Sequence, residues 1–209
     1  MINVLLITFM MTLIYLSVEN RMSNFIKILF LQGLLLFGIS YIELNEINSI
    51  NLVFVLLETI IFKTVAVPLL LSSITKRHKI GREAEPYVPY FVSLVIVTSL
   101  IVFTILLSTF IEDSSLNKIY FIVALFALFT GLYVITTRKK IITHVMGYLV
   151  IENGVFILSL AVGNKMPMLV NTGILLDLFV SILVLGIFVN KVGSILKDID
   201  VDQLQNLRD

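Results

Sequence analysis

The sequence predicts an all-α, polytopic membrane protein of about seven transmembrane helices. Composition is the first reason. Of 209 residues, 58% are hydrophobic and only 14% charged, with a mean hydropathy of +1.05. A soluble domain of this length carries far more charge. The second reason is that the apolar residues gather into recurring runs near the ~20 residues that cross a hydrocarbon core. Within lipid, backbone polar groups have to be satisfied inside their own segment, so such runs are helices.

The expected spans are 2–18, 22–42, 50–75, 88–110, 118–137, 141–162 and 166–191. The first, MINVLLITFMMTLIYLSV, lacks a basic n-region and a small-residue cleavage site, so it reads as a retained helix. The second opens after Arg21 and carries Gln32 within its apolar run. The third holds Glu58, Lys63 and Pro68. Pro68 has no N–H for the Thr64 carbonyl, so a kink or a trapped water is expected beside Lys63. The third and seventh spans are long enough to tilt or to project beyond the lipid. Before the fourth lies TKRHKIGREAEPYVPY (75–90), the one substantial linker; its charges, Pro86 and Pro89 predict an irregular loop. A nucleotide-binding role for it is weighed against a solvated basic connector, and the connector is preferred. The sixth span contains GYLVIENGVFILSL, with Glu152 and Asn153 at its centre. On the seventh, Gly173, Asp177 and Ser181 recur every four residues, a face that lets a neighbouring helix approach closely. Tyr15, Tyr41, Tyr120 and Tyr133 near span ends read as interfacial anchors.

Charge predicts the sidedness. The connections after the first, third and fifth spans carry Arg21, Lys27, Lys76, Arg77, Lys79, Arg82, Arg138, Lys139 and Lys140, and the tail adds Lys191, Lys197 and Arg208. The opposite loops hold Lys118 and Lys165 beside Glu43, Glu46, Glu112 and Asp113. The positive-inside rule therefore expects an outside N-terminus and a cytoplasmic C-terminus. With a net charge of +1, no basic surface for nucleic acid is suggested. The absence of cysteine removes disulfides and thiolate-held metals or clusters. His78 and His144 are the two histidines, so no histidine-rich metal site is evident, and no nucleophile is paired with a base.

Halving the chain exposes a weak repeat. Gln32 lies eleven residues after Arg21, and Glu152 twelve after Lys140; Glu58 and Asp177 follow those positions by 26 and 25. The expected organisation is one membrane domain, 1–209, made of a three-helix repeat (2–75), the basic loop with a joining helix (76–117), a second repeat (118–191) and a tail (192–209). Both repeats would begin outside, making them parallel copies about an axis along the membrane normal.

Glu58, Lys63, Glu152 and Asp177 all fall well inside predicted spans. At a rise of about 1.5 Å per residue, Glu152 is roughly 18 Å from Lys140, and Asp177 roughly 21 Å from Lys191. Half a hydrocarbon core is about 15 Å, so both lie near the midplane, and Lys63 at a similar depth. Each such charge costs about 2.5–3.5 kcal/mol to insert. The alternative to function is that these groups only join helices by hydrogen bonding. Four of them, assisted by Gln32 and Asn153, fit a proton path better, because burial raises carboxyl pKa values and lowers that of lysine. His144, eight residues before Glu152, would feed that path from the cytoplasmic side. An interfacial histidine without such a duty is the competing reading.

TRKKIITHVMGYLVIENGVFILSLAVG, followed by NTGILLDLFVSILVLGIFVNKV and the tail DIDVDQLQNLRD, resembles component E of hydrogenase-4, the HyfE family. FKTVAVPLLLSSITKR in the first half is similar as well, and the resemblance covers nearly the whole chain. That family's C-terminal half is similar to the NuoK-type subunit of respiratory complex I, whose second and third helices carry two buried acids; Glu152 and Asp177 lie on the corresponding helices here. Glu152 follows Gly147 by five positions where the NuoK-type pattern has two, and Gln32 stands where the first repeat would have an acid.

The resemblance implies a non-catalytic, proton-conducting membrane subunit of a group 4 [NiFe] hydrogenase or formate hydrogenlyase-like complex, in a prokaryotic plasma membrane. Its implied partners are antiporter-like subunits, a quinone-site-like subunit and peripheral subunits holding Fe–S clusters and a NiFe centre. No cofactor or metal is expected in this chain itself. The tail, with Ile199, Val201, Leu204 and Leu207, would dock on a neighbour. That subunit would couple redox chemistry to translocation of protons or sodium; the competing functions are a subunit of a redox-independent multisubunit cation/proton antiporter and a purely structural spacer.

Overall fold

The breaks between helices fall where polar side chains take over the hydrogen bonds of the backbone. The structure, a computed structural model, describes residues 1–44, 56, 58–77, 87–111, 116–161 and 186. Its elements are α1 (Ile2–Val18), α2 (Met22–Leu44), a π-helical segment (Glu58–Ala66) running into α3 (Val67–Arg77), α4 (Tyr90–Thr109), α5 (Lys118–Thr137) and α6 (Ile141–Ala161). Between α1 and α2 the Glu19 carboxylate accepts from the backbone N–H groups of Asn20 (2.9 Å) and Arg21 (2.8 Å) and from Asn24 Nδ2 (2.8 Å). A negative charge at the start of α2 also suits the helix dipole. Asn117 caps α5 by accepting from the Ile119 N–H at 3.3 Å, and its own N–H donates to the Ala161 carbonyl at 2.9 Å.

Among the described residues five stretches are long and apolar enough to cross a membrane: Met22–Glu43, Thr59–Arg77, Tyr90–Thr109, Lys118–Thr137 and Ile141–Ala161. At 17 residues, α1 is a shorter apolar helix. Its buried Leu6, Phe9, Leu13 and Leu16 oppose an exposed stripe of Val4, Ile7, Met11 and Tyr15. The expected seventh span (166–191), apart from Gly186, lies outside the described residues, as do Asp177, the tail and 78–86 of the basic loop.

The third span departs from a regular α-helix. Over Glu58–Ala66 its geometry is π, and the Thr64 hydroxyl donates to the carbonyl of Thr59, five residues back, at 2.7 Å. α geometry resumes with Val67 and Pro68. The change thus coincides with the residue that cannot donate to Thr64, and the widened turn is the local adjustment.

Among the described helices α5 and α6 pack most intimately. A Cβ on Gly131 would lie 2.6 Å from Ile151 Cγ1 and 2.7 Å from the Gly147 carbonyl oxygen, so the backbones cross in direct contact there. Small residues allow this approach, and van der Waals packing is what holds helices together in lipid. α1 packs on α5 and α2 on α6, while α4 lies at the periphery, with 22% of its span buried against 67% for α6. Hence α6 is the central element.

The helix ends alternate as an up-and-down bundle requires. At one end Arg138 Nη1 donates to Asn20 Oδ1 at 2.5 Å, Asn20 donates to the Tyr90 hydroxyl, and Arg138 Nη2 donates to the Ser17 carbonyl at 2.8 Å. At the other end the Tyr120 hydroxyl donates to Glu43 Oε2 at 2.9 Å. One expectation is corrected here. Tyr120 and Tyr133 are not interfacial anchors: they are 2% and 8% exposed, and Tyr133 donates to Ser93 Oγ at 2.7 Å to hold α4 on α5. Tyr15 and Tyr41 do stay half exposed. Arg138, one of the basic residues between α5 and α6, is drawn into the bundle. It is 3% exposed, lies over the Phe25 ring, and satisfies a carbonyl at the C-terminal end of α1, where a cation suits the dipole.

Candidate functional site

α6 directs two adjacent polar side chains into the bundle. Glu152 and Asn153 are 8% and 5% exposed. Because successive helical residues point about 100° apart, they address different neighbours. Glu152 Oε1 lies 3.2 Å from Nζ of Lys63, which is 5% exposed and stands in the π segment. The ammonium also sits 4.7 Å above the centre of the Phe156 ring, one turn beyond Glu152. Lys63 Nζ makes no aligned hydrogen bond among the described residues, so the contact is that of opposed charges. The negative face of the ring adds to the attraction on a desolvated cation.

Asn153 turns to α2 and starts a chain of hydrogen bonds. Its Nδ2 donates to Gln32 Oε1 at 3.1 Å, and Gln32 Nε2 donates to Thr12 Oγ1 at 3.0 Å. The Thr12 hydroxyl donates to the Phe9 carbonyl at 2.6 Å. Gln32 is fully buried. Four elements, α1, α2, α6 and the π segment, therefore meet on one polar layer within the bundle. A buried charge is tolerable when paired and its neighbours are hydrogen-bonded, which is the state of this layer.

The structure thus brings together Lys63, Glu152, Asn153 and Gln32. It does not bring His144 to them: Nε2 of His144 is engaged with the Arg138 carbonyl at 2.7 Å, at the basic end of the bundle. Asp177 and the side chain of Glu58 lie outside the described residues. Sequence reasoning missed Thr12 and Phe156. Phe156 follows Glu152 by four positions, the spacing at which helix neighbours share a face. Thr12 had no such signal, because only the packing of α1 on α2 makes it a partner of Gln32.

Residues 119–209, which begin with α5, match the family of NADH-ubiquinone/plastoquinone oxidoreductase chain 4L. This part of the chain resembles a membrane subunit of a complex I-type oxidoreductase. An uncharacterized protein of Mycobacterium tuberculosis is 30% identical over 79 residues, which is 38% of this chain and 36% of that relative. The match therefore spans little more than a third of the relative's length. No solved structure matches the chain.

Proposed function

We propose that this chain is a non-catalytic membrane subunit of a complex I-related assembly and that it passes protons through the Lys63–Glu152 pair. The observation that carries this reading is the 3.2 Å approach of the two charges within the bundle. At rest the pair is ammonium and carboxylate, together neutral. A proton arriving on Glu152 would be matched by one passed onward from Lys63. Transfer of the Glu152 proton to the neutral amine then restores the resting pair, with one proton in and one out. Asp177 and Glu58 would be further carriers on the path.

The C-terminal similarity to the complex I subunit supports this class of complex. The hydrogenase-4 component E resemblance makes the finer reading a group 4 [NiFe] hydrogenase or formate hydrogenlyase-like complex. Its Fe–S clusters and NiFe centre would belong to peripheral subunits, and this chain would link a quinone-site-like subunit to antiporter-like ones. The basic end of the bundle would face the cytoplasm of a prokaryotic plasma membrane.

The test is redox-driven acidification of inverted membrane vesicles carrying Glu152→Gln. Electron transfer with acidification lost is the expected result. Full acidification in an assembled complex would make the pair a structural contact only. Proton exchange that persists without any redox partner co-purifying would move the chain to a cation/proton antiporter.

A further inference from the structure

Gln32 and Gly33 are adjacent on α2, and each touches the chain neighbour of one member of the ion pair. Gln32 Oε1 accepts from Asn153, next to Glu152. Gly33 faces Thr64, next to Lys63, and a Cβ there would lie 2.7 Å from Thr64 Oγ1 and 2.9 Å from the Thr64 Cα and N. Contacts that short to backbone atoms cannot be relieved by turning a side chain. We propose that Gln32 and Gly33 are positioning residues, a two-sided clamp on α2 that sets the separation of Lys63 from Glu152.

The geometry explains how one dipeptide serves two helices. Adjacent residues on α2 lie at nearly the same depth and point about 100° apart, so one addresses α6 and the other the π segment. Locking Asn153 onto Gln32 fixes the rotation of α6 about its own axis, and therefore the direction of Glu152. The missing side chain at Gly33 lets the Thr64 backbone close on α2, which fixes how far Lys63 stands from the same reference. The hydrogen bonds run in one sense, from Asn153 through Gln32 and Thr12 to the Phe9 carbonyl. That chain ends on a backbone acceptor, and its amides do not titrate. It anchors the layer rather than carrying protons through it.

This deepens the proton-transfer reading, but its test reads the pair's geometry instead of transport. Among the described side chains Lys63 of the π segment is the charged group seen against Glu152; α2 presents the Gln32 amide to the adjacent Asn153, and α5 presents Ala127 and Gly131 to α6. The distance between the two charges sets the pH at which Glu152 exchanges its proton, so a change in that distance moves the midpoint. The purified complex is titrated by infrared difference spectroscopy, following the carboxylic-acid band that disappears in Glu152→Gln. Gly33→Ala and the near-isosteric Gln32→Met are each expected to move the midpoint by about one unit or more. Leu34→Ala, on the 42% exposed side of α2, is expected to leave it unchanged.

An unchanged midpoint in Gln32→Met and Gly33→Ala overturns the clamp, and so does an equal shift in Leu34→Ala. If Gly33→Ala does not accumulate, Gln32→Met decides alone. Transport measured on the same preparations separates the two ideas. Lost transport with an unchanged midpoint overturns the clamp and leaves the proton path standing; a shifted midpoint with intact transport supports the clamp and overturns the pair's role in conduction.

Discussion

Lys63 and Glu152 face each other at 3.2 Å although one belongs to a π-helical turn in the first half of the chain and the other to the centre of α6. Each is nearly inaccessible, and each would be costly in lipid without the other. Their meeting turns two separate liabilities into one neutral pair.

Removing one partner should be worse than removing both. Glu152→Gln or Lys63→Met alone leaves an uncompensated buried charge and is expected to cost about 3–5 kcal/mol. The double variant should recover most of that stability while conducting no protons. Denaturation midpoints in detergent, read beside vesicle acidification, check this. A double variant as unstable as the worse single one would contradict it.

The glycines of the bundle should differ sharply in tolerance. Gly131→Ala places a Cβ 2.6 Å from Ile151 Cγ1 and 2.7 Å from a backbone oxygen, so α5 and α6 must separate, at about 1–3 kcal/mol. At Gly38 the new Cβ would meet Leu5 Cδ1 at 3.5 Å, an ordinary contact. Gly38→Ala is therefore expected to be neutral or stabilising. Paired unfolding curves distinguish the two.

Arg138 should resist conservative replacement. Its guanidinium donates to both the Ser17 carbonyl and Asn20 Oδ1 while lying over Phe25. A lysine keeps the charge but lacks the planar fork that reaches two acceptors. Arg138→Lys is expected to lose about 1.5–3 kcal/mol, the worth of one charged hydrogen bond, and Arg138→Met more. Stability equal to the native chain in Arg138→Lys would show that the charge alone suffices.

Acid should loosen the α1–α2 connection late. Burial would raise the Glu19 carboxyl, but the N–H groups of Arg21 and Asn20, the Asn24 amide and the Tyr15 hydroxyl outweigh it and hold the group down, from 4.5 to about 2. A folded-state pKa below the unfolded one contributes stability above pH 4.5, and that contribution is lost as pH falls toward about 2. Native protein and Glu19→Gln should thus differ in melting temperature at neutral pH and converge in that acid window. A constant difference down to pH 2 would mean that Glu19 acts without its charge.

Much of the bundle was legible in advance. The expected starts of the second, fifth and sixth spans coincide with Met22, Lys118 and Ile141, because a polar residue next to a long apolar run is where a helix meets water. Lys63 and Glu152 were placed at similar depths by counting from the nearest basic end, since helical rise converts residue number into depth. Pro68 marked an irregularity near Lys63 but not its π form. Arg138 read as an ordinary loop charge, because nothing in TTRKK separates a buried guanidinium from two neighbouring lysines.

By itself, then, the sequence determined that the described segments are helical, that they are apolar enough for lipid, and where along each helix its polar residues stand, because a bilayer forces backbone bonding into each segment and gives residue number a length scale. Which helices stand side by side was decided only by the tertiary structure. The approach of α5 to α6 through Gly131 and Gly147, and of α2 to both α6 and the π segment through Gln32 and Gly33, depends on the shapes of facing surfaces. Spacing along one helix specifies a depth and a face, but the partner across that face comes from another part of the chain, and only packing brings it there.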